Sequence, residues 1–331
     1  MKKKKFNFSG DMLTLICTVA VFCLVGFLLY TGKLTRQLSN MLIPISVYIV
    51  LAVSLNLVVG LLGELSLGHA GFMSVGLFSG CLVSIALNAY LPTIVRLPLA
   101  MIFGGLVAIV FGFIVGLPAL RLKGDYLAIV TLACGEIIKN VITNLNITGG
   151  ALGLNTGEVY SSVKTLFPYA GVLVFLTVLV MMNLKKSKHG RAIMAIRDNR
   201  IAAESIGINV TYFKLVVFML AAFFAGAAGT LYGHFFTNVK AASFDYNMSI
   251  EILVIVVLGG MGSIPGSIIA AIVLQALPEL MRGFANYRML LYAIVLILVM
   301  LITNNPTTSR IISEYKEKLK FGRKEKAEND D

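Results

Sequence analysis

Residues 41–72 read MLIPISVYIVLAVSLNLVVGLLGELSLGHAGF, an apolar run from Met41 to Leu62 that gives way to a glycine-rich stretch, Gly60 to Gly71, before apolar residues resume at Phe72. A hydrocarbon core roughly 30 Å thick takes about 20 helical residues to cross, and the run from Met41 is long enough. Each glycine costs about 1 kcal/mol in a helix interior, so the helix is expected to break within Gly60–Gly71. Backbone released from helical pairing at membrane depth must line protein or a water-filled cavity, because lipid offers it no partner.

Further apolar segments run from Met12 to Tyr30, Phe72 to Leu91, Pro98 to Leu117, Tyr126 to Ile142, Pro168 to Leu184, Phe213 to Phe236 and Met289 to Thr303. Of the 331 residues 58% are hydrophobic and 13% charged, with a mean hydropathy of +0.88. Soluble domains are about one quarter charged, so a soluble fold is excluded. The stretch from Ile250 to Leu277 is apolar at both ends and interrupted by Gly259-Gly260-Met261-Gly262-Ser263-Ile264-Pro265-Gly266. Its glycines, and a proline lacking a donor, predict two short segments meeting at a kink. Paired glycine-interrupted segments in the two halves of a transporter point to a substrate path between them. The fold class expected is an all-α polytopic membrane protein of about ten transmembrane segments, two of them glycine-interrupted.

Charge sets the orientation. If residues 250–277 cross twice, 20 Lys and Arg fall on the side of the termini: Lys2 to Lys5, Arg121, Lys123, seven from Lys185 to Lys214, and seven from Arg310 to Lys326. Seven fall opposite: Lys33, Arg36, Arg96, Lys164, Lys240, Arg282 and Arg288. A single crossing lowers the ratio to 15 against 12. The positive-inside rule therefore favours ten crossings in the cytoplasmic membrane with both termini inside. On this reading residues 1–11 are a cytoplasmic tail, 12–303 the transmembrane domain with a cytoplasmic loop at 185–212, and 304–331 a charged cytoplasmic tail. Met1 to Lys5 with the following apolar run has the layout of a signal peptide, but the run is too long and no small-residue cleavage site follows. The excess of 12 positive charges sits between apolar spans, which argues against nucleic acid as a partner.

No catalytic set is legible. Cys17, Cys23, Cys81 and Cys134 are scattered through apolar spans and suggest neither a metal site nor disulfides. No G-x-x-x-x-G-K-[ST] loop occurs, so no nucleotide or metal cofactor is expected on this chain. Ionisable residues in or beside spans are functional candidates by default, here Glu64, His69, Asp125, Glu136, Lys139 and Glu251. Glu136 and Lys139, spaced i and i+3, can neutralise each other, and Asp125 suits a helix start.

The loop from Lys185 carries Gly190-Arg191-Ala192 and then Arg197-Asp198-Asn199-Arg200-Ile201-Ala202-Ala203-Glu204-Ser205-Ile206-Gly207. Ala202, Ala203 and Ile206 fit one helical face and Arg197, Arg200 and Glu204 another, with Gly207 as a stop. A short amphipathic surface helix is expected, either docking into a partner or simply solvated.

Ala-Ala-Glu followed by a short gap and Gly resembles the coupling loop of ABC importer permeases. Residues Arg121 to Ile137, Thr148 to Leu154, Ser66 to Phe72 and Leu258 to Gly266 resemble signatures of the Liv-type branched-chain amino acid permeases, of the LivM kind. The resemblance spans about residues 55–277 and leaves the first span, the sequence from Met289 onward and the Lys-rich tail unmatched. It implies a heteromeric importer: a second, LivH-like permease subunit, two LivG/LivF-like ATPase subunits using ATP and Mg, and an extracytoplasmic binding protein delivering leucine, isoleucine or valine. It also implies coupling to the ATPases through Arg191, Arg197, Asp198, Ala202, Ala203, Glu204 and Gly207. The translocation path then lies along Glu64, Ser66, Gly68, His69, Gly259, Gly260, Gly262 and Ser263. The half-helix after Gly68 would face a substrate carboxylate and Glu64 its ammonium; alternatively Glu64 and His69 hydrogen-bond across helices to hold the break. The Gly-rich linker 144–167 would face outside, either against the binding protein or as a plain connection. Two alternatives remain: a related importer of urea or short amides, and an ion-coupled transporter using Glu64 or Glu136. Alkaline phosphatase fused after Asp331 should stay inactive; activity outside the cell would overturn the ten-crossing topology.

Overall fold

The structure is a computed structural model and describes residues 8–119, 122, 124–280, 294 and 297. Two compact units divide the chain, residues 1–275 and 276–331, and nearly all described residues belong to the first. The basic N-terminus to Lys5, Arg121, Lys123, Arg282, Arg288, most of the expected span Met289–Thr303 and the tail 304–331 lie outside the described residues.

Eleven α-helices are described: α1 Phe8–Tyr30, α2 Arg36–Asn56, α3 His69–Ala86, α4 Thr93–Ala119, α5 Asp125–Asn144, α6 Val163–Lys186, α7 Lys188–Asp198, α8 Arg200–Ser205, α9 Val210–Gly233, α10 Tyr246–Gly259 and α11 Ile264–Leu280. Seven helical stretches are long and apolar enough to cross a membrane: 36–62, 69–86, 93–119, 125–144, 163–186, 210–233 and 241–259. Thr14–Tyr30 and Ile264–Pro278 are shorter apolar helices. The apolar runs mark the greasy middle of each helix, and polar caps set the true ends. Thr35 accepts from Leu38 N, Asn209 from Tyr212 N and Asp245 from Met248 N. Thus α9 begins at Val210, not Phe213, and α6 runs from Val163 to Lys186, placing Lys185 at a helix end and Lys214 inside a helix.

The central element is α2, buried almost all round. Beside it α3, α4 and α9 meet through small residues. A Cβ on Gly76 would collide with the Gly226 backbone, and one on Gly104 with the Gly76 carbonyl. Thr230 Oγ1 donates to Gly76 O at 2.8 Å. Without a hydrophobic drive between helices in lipid, such close backbone approach supplies the packing. By contrast α4 and α5 present apolar outer faces, including Ile102, Leu106, Val110, Ile129 and Ile137.

Away from this seam, the linker 144–167 is ordered. Its strand β1, Leu154–Asn155, pairs antiparallel with β2, Asn238–Val239, which follows α9. Thr156 N donates to Thr237 O at 2.9 Å and Ser161 N to His234 O at 3.0 Å. His234 in turn meets Ser84 Oγ at 2.8 Å.

Overpacking a tight seam costs about 1–3 kcal/mol, and more where backbone cannot retreat. Gly226→Leu should therefore abolish the monodisperse peak of detergent-solubilised protein on size exclusion. Gly171→Leu, whose first added carbon meets only Phe22 at an ordinary 3.4 Å, should leave that peak in place.

Candidate functional site

The first break begins where α2 widens into a π-helical turn, Leu57–Leu62, ended by Gly63 at φ 78°. The chain then runs without helix to Gly68, and α3 starts at His69. Other elements hold this stretch. Leu67 N donates to Thr131 Oγ1 at 3.0 Å and Ala70 N to Ser249 Oγ at 3.2 Å. A Cβ on Gly68 would lie 2.9 Å from Thr131 O, so only glycine allows α5 this close.

His69 is fully buried and its Nε2 sits 2.8 Å from Ser54 Oγ. That hydroxyl gives its proton to Leu51 O at 3.0 Å, so it accepts from His69, which assigns the Nε2–H tautomer. The carboxylate of Glu64 is ion-paired with Lys214 of α9 and so is already occupied in this conformation. This matches the cross-helix reading of Glu64 and His69. Ser66 is 1% exposed, and its Oγ has no partner among the described residues.

The second break is a turn between α10 and α11, with Gly260 at φ 89° and Gly262 at φ 82°. Gly259 and Gly266 touch backbone to backbone, and Gly266 N donates to Ser263 Oγ at 3.3 Å. The expected kink is thus a turn between two separate helices.

Asn56, in the last turn of α2, joins the two breaks. It accepts from Gly262 N at 2.7 Å through Oδ1 and donates through Nδ2 to Ser263 O at 3.1 Å and Ser267 Oγ at 2.8 Å. Gly60 lies against Gly262 so closely that a Cβ there would overlap its nitrogen. The cavity left between them, lined by Asn56, Leu61, Lys185 and Gly262, holds about 20 Å³. That suffices for one water and is far below the several hundred Å³ of a small-molecule site. The breaks are closed on each other.

The segment 185–214 differs from the single helix 197–207 expected from sequence. It forms α7 and α8, separated at Asn199 (φ −156°), whose side chain caps α8 through Ala202 N at 3.1 Å. Asn199 therefore ends one helix and starts the next instead of lying on a polar face. Arg191, Arg197 and Asp198 belong to α7 and Ala202, Ala203 and Glu204 to α8. Nor do Ala202, Ala203 and Ile206 share a buried face. Ala203 is buried, while Ala202 is exposed and Ile201 and Ile206 are 80% and 73% exposed. Gly207 is the expected stop, at φ 85° with its N–H on Glu204 O and Ile208 N on Ala203 O. Glu204 pairs with Arg200 at 2.9 Å, and Arg191 donates to Lys186 O at 3.2 Å.

Arg197 turns inward. Its Nη1 donates to Gly60 O at 3.1 Å, and Lys185 Nζ donates to Gly262 O at 2.7 Å. The sequence marks Lys185 only as loop charge and Arg197 as part of a polar helical face, so neither contact is anticipated there. Asn56 was the legible clue among the missed residues, a lone amide inside an apolar run. Thr131 and Ser249 gave none.

Of the remaining candidates, Glu136 pairs with Lys139 and accepts from Tyr246 N at 3.0 Å. Asp125 opens α5, and Glu251 accepts from Tyr48 Oη at 3.1 Å. Among the described residues no group of His, Cys, Asp and Glu is arranged to hold a metal.

Removing Asn56 leaves Gly262 N unpaired, at about 1–3 kcal/mol, while Ser263 O keeps Ser267 N and Oγ. Asn56→Leu should lower the melting temperature of the solubilised protein. It should also raise labelling of a cysteine at Ser263 by a hydrophilic thiol reagent, in a background lacking the native cysteines. Unchanged melting and labelling would show that Asn56 does not close the breaks.

Residues 37–302 match the family described as branched-chain amino acid transport system, permease component. The chain is 39% identical over 288 residues to the high-affinity branched-chain amino acid transport system permease protein LivM of Salmonella typhimurium, and equally to that of Escherichia coli. Each match covers 77% of this chain and 66% of the relative, so the chain spans about two thirds of their length. A probable branched-chain amino acid transport permease protein LivM of Methanocaldococcus jannaschii is 29% identical over 176 residues, 51% of each chain. No solved structure matches. With four fifths of its length matched, the chain belongs to the branched-chain amino acid transport permease family, of the LivM type, and is a multi-pass membrane protein.

Proposed function

We propose that this chain is the membrane-spanning permease subunit of an ATP-driven importer of leucine, isoleucine and valine in the cytoplasmic membrane, with both termini inside. The observation that carries this reading is the meeting of the two glycine-rich breaks beside α2, backed by the α7–α8 segment. Broken helices place backbone groups in the interior where a solute can exchange hydrogen bonds with them. A closed gap of about 20 Å³ fits a state between transport events. Opening it would expose Asn56, the Gly262 backbone and the neighbouring Ser263 beside the apolar walls of Leu57 and Leu61, a mixture suited to a branched aliphatic amino acid.

Energy comes from partners. The α7–α8 segment exposes Ile201, Ile206, Ala202 and Glu204, an apolar patch with a charged edge of the kind that enters a groove on another protein. The reading assigns that groove to a LivG/LivF-like ATPase subunit binding ATP and Mg. A LivH-like second permease subunit covers part of the outer apolar surface, and an extracytoplasmic binding protein delivers the substrate. The ordered linker 144–167, fastened to the segment after α9, is the surface it would meet.

Cells lacking this gene should regain uptake of labelled leucine and valine when it is restored with its partners, and should gain no urea uptake. Urea uptake without leucine uptake would overturn the substrate assignment. Glu204→Lys, which reverses the charge beside Ile201 and breaks the pair with Arg200, should reduce leucine uptake at least about tenfold, a loss of 1.4 kcal/mol or more. Full uptake by that variant would remove α8 from the ATPase contact.

A further inference from the structure

Three cations lie at the start, middle and end of the cytoplasmic segment: Lys185, Arg197 and Lys214. Each reaches a break: Lys185 the Gly262 carbonyl, Arg197 the Gly60 carbonyl, and Lys214 the Glu64 carboxylate. The last turn of a helix leaves four carbonyls without intrahelical partners, and Gly60 lies in that turn of the α2–π element. A charged donor on such a carbonyl makes a bond roughly twice as strong as a neutral one.

The geometry is prepared for Arg197. Its Cγ lies where a side chain at Gly63 would begin, so the left-handed glycine opens a slot for the arginine stem. Asp198 Oδ1 accepts from Nε at 3.1 Å and Nη2 at 3.0 Å, which fixes the guanidinium plane and leaves Nη1 aimed at Gly60. From Gly60 the circuit closes through the Gly60–Gly262 contact and Asn56, and returns to the segment at Lys185. Arg197 lies in the last turn of α7, a rod of 11 residues and about 16 Å, and Lys185 in the last turn of α6, just before α7 begins. Apolar packing is non-directional and tolerates sliding, whereas hydrogen bonds weaken steeply as their angle opens. A displaced α7 must therefore carry the Gly60 carbonyl with it or release it, and a shift at the α6–α7 junction does the same to the Gly262 carbonyl.

We infer that Arg197 and Lys185 transmit movement of the ATPase-facing segment to the two breaks, Arg197 by holding the Gly60 carbonyl and Lys185 the Gly262 carbonyl, with Asp198 as the positioning residue for Arg197. The inference rests on reading α7–α8 as the segment that meets the ATPase. It moves Arg197 and Asp198 from the docking surface to the link behind it.

The test uses the transporter assembled with its ATPase subunits in lipid nanodiscs and proteoliposomes. Hydrogen exchange of peptides covering residues 57–65, 259–266 and 200–207 is compared with and without a non-hydrolysable ATP analogue. Substrate moved per ATP hydrolysed is measured alongside. In wild type all three peptides should respond to the nucleotide. In Arg197→Gln the 200–207 peptide should still respond and the 57–65 peptide should not. Substrate moved per ATP should fall at least about fivefold, the lower end of ordinary coupling between sites. Arg197→Lys should restore part of that ratio.

An unchanged ratio with a responding 57–65 peptide would overturn the inference. So would loss of the response at 200–207, since Arg197 would then serve docking. Should Arg197→Gln fail to assemble, Lys185→Met is read in the same way at 259–266, and an unchanged response there overturns the inference. The exchange arm needs no substrate. A wild-type complex that moves no branched-chain amino acid yet shows these exchange patterns would refute the substrate reading and leave the transmission standing.

Discussion

A helix that stops inside a membrane protein must give its loose carbonyls and N–H groups partners from the protein itself, and that requirement organises everything near α2. Water is scarce there and lipid offers nothing. The solution is a single amide, Asn56, serving as donor and acceptor to a turn more than 200 residues away in sequence. Cationic side chains from α6 and α7, Lys185 and Arg197, serve the carbonyls that the amide does not bond. Gly60 and Gly262 lend backbone groups to these bonds, and the glycines at 60, 63 and 68 let the partners come close enough to make them.

Two kinds of helix contact are thereby kept apart. The α3–α4–α9 seam relies on backbones in direct touch, with Thr230 bonded across to Gly76. Around α2, α10 and α11 the glycine backbones also touch, at Gly60–Gly262 and Gly259–Gly266, but the ties between the breaks include polar side chains, each able to exchange its partner for water or for a solute. Contacts of the first kind resist rearrangement because close-packed backbone has no second arrangement nearby. Those of the second kind can be broken singly, at about 1 kcal/mol for a neutral bond once the partners are rehydrated.

The sequence made the helices and the two breaks legible because hydrophobic runs and glycines are local signals. Residues 246–280 form two separate helices, in keeping with the two short segments that their glycines and proline imply. Helix ends were less legible, because capping side chains set them; Asn209 starts α9 at Val210, three residues before the apolar run, by this means. The segment 197–207 was misread for a related reason. Periodicity counted Arg197, Arg200 and Glu204 as one face, whereas Asn199 hydrogen-bonds its own backbone and splits the run. That helices break within Gly60–Gly71 and Gly259–Gly266 could be read, but not what binds the breaks. Pairing Asn56 with Gly262, or Arg197 with Gly60, is a property of the tertiary arrangement, and one chain of residues carries no record of such distances.

The linker strand β1 and its partner β2 give the opposite end of the bundle a different mechanical character. Two residues of sheet, a Thr156–Thr237 bond and the buried His234–Ser84 contact tie residues 154–161 to both α9 and α3. Because α9 and α3 also share the glycine seam, this knot is clamped to a part of the molecule with little room to deform. A protein pressing on the knot pushes on the whole trunk at once. At that face the subunit behaves as an anvil, and compliance is confined to the far end, where polar side chains help hold the helices together.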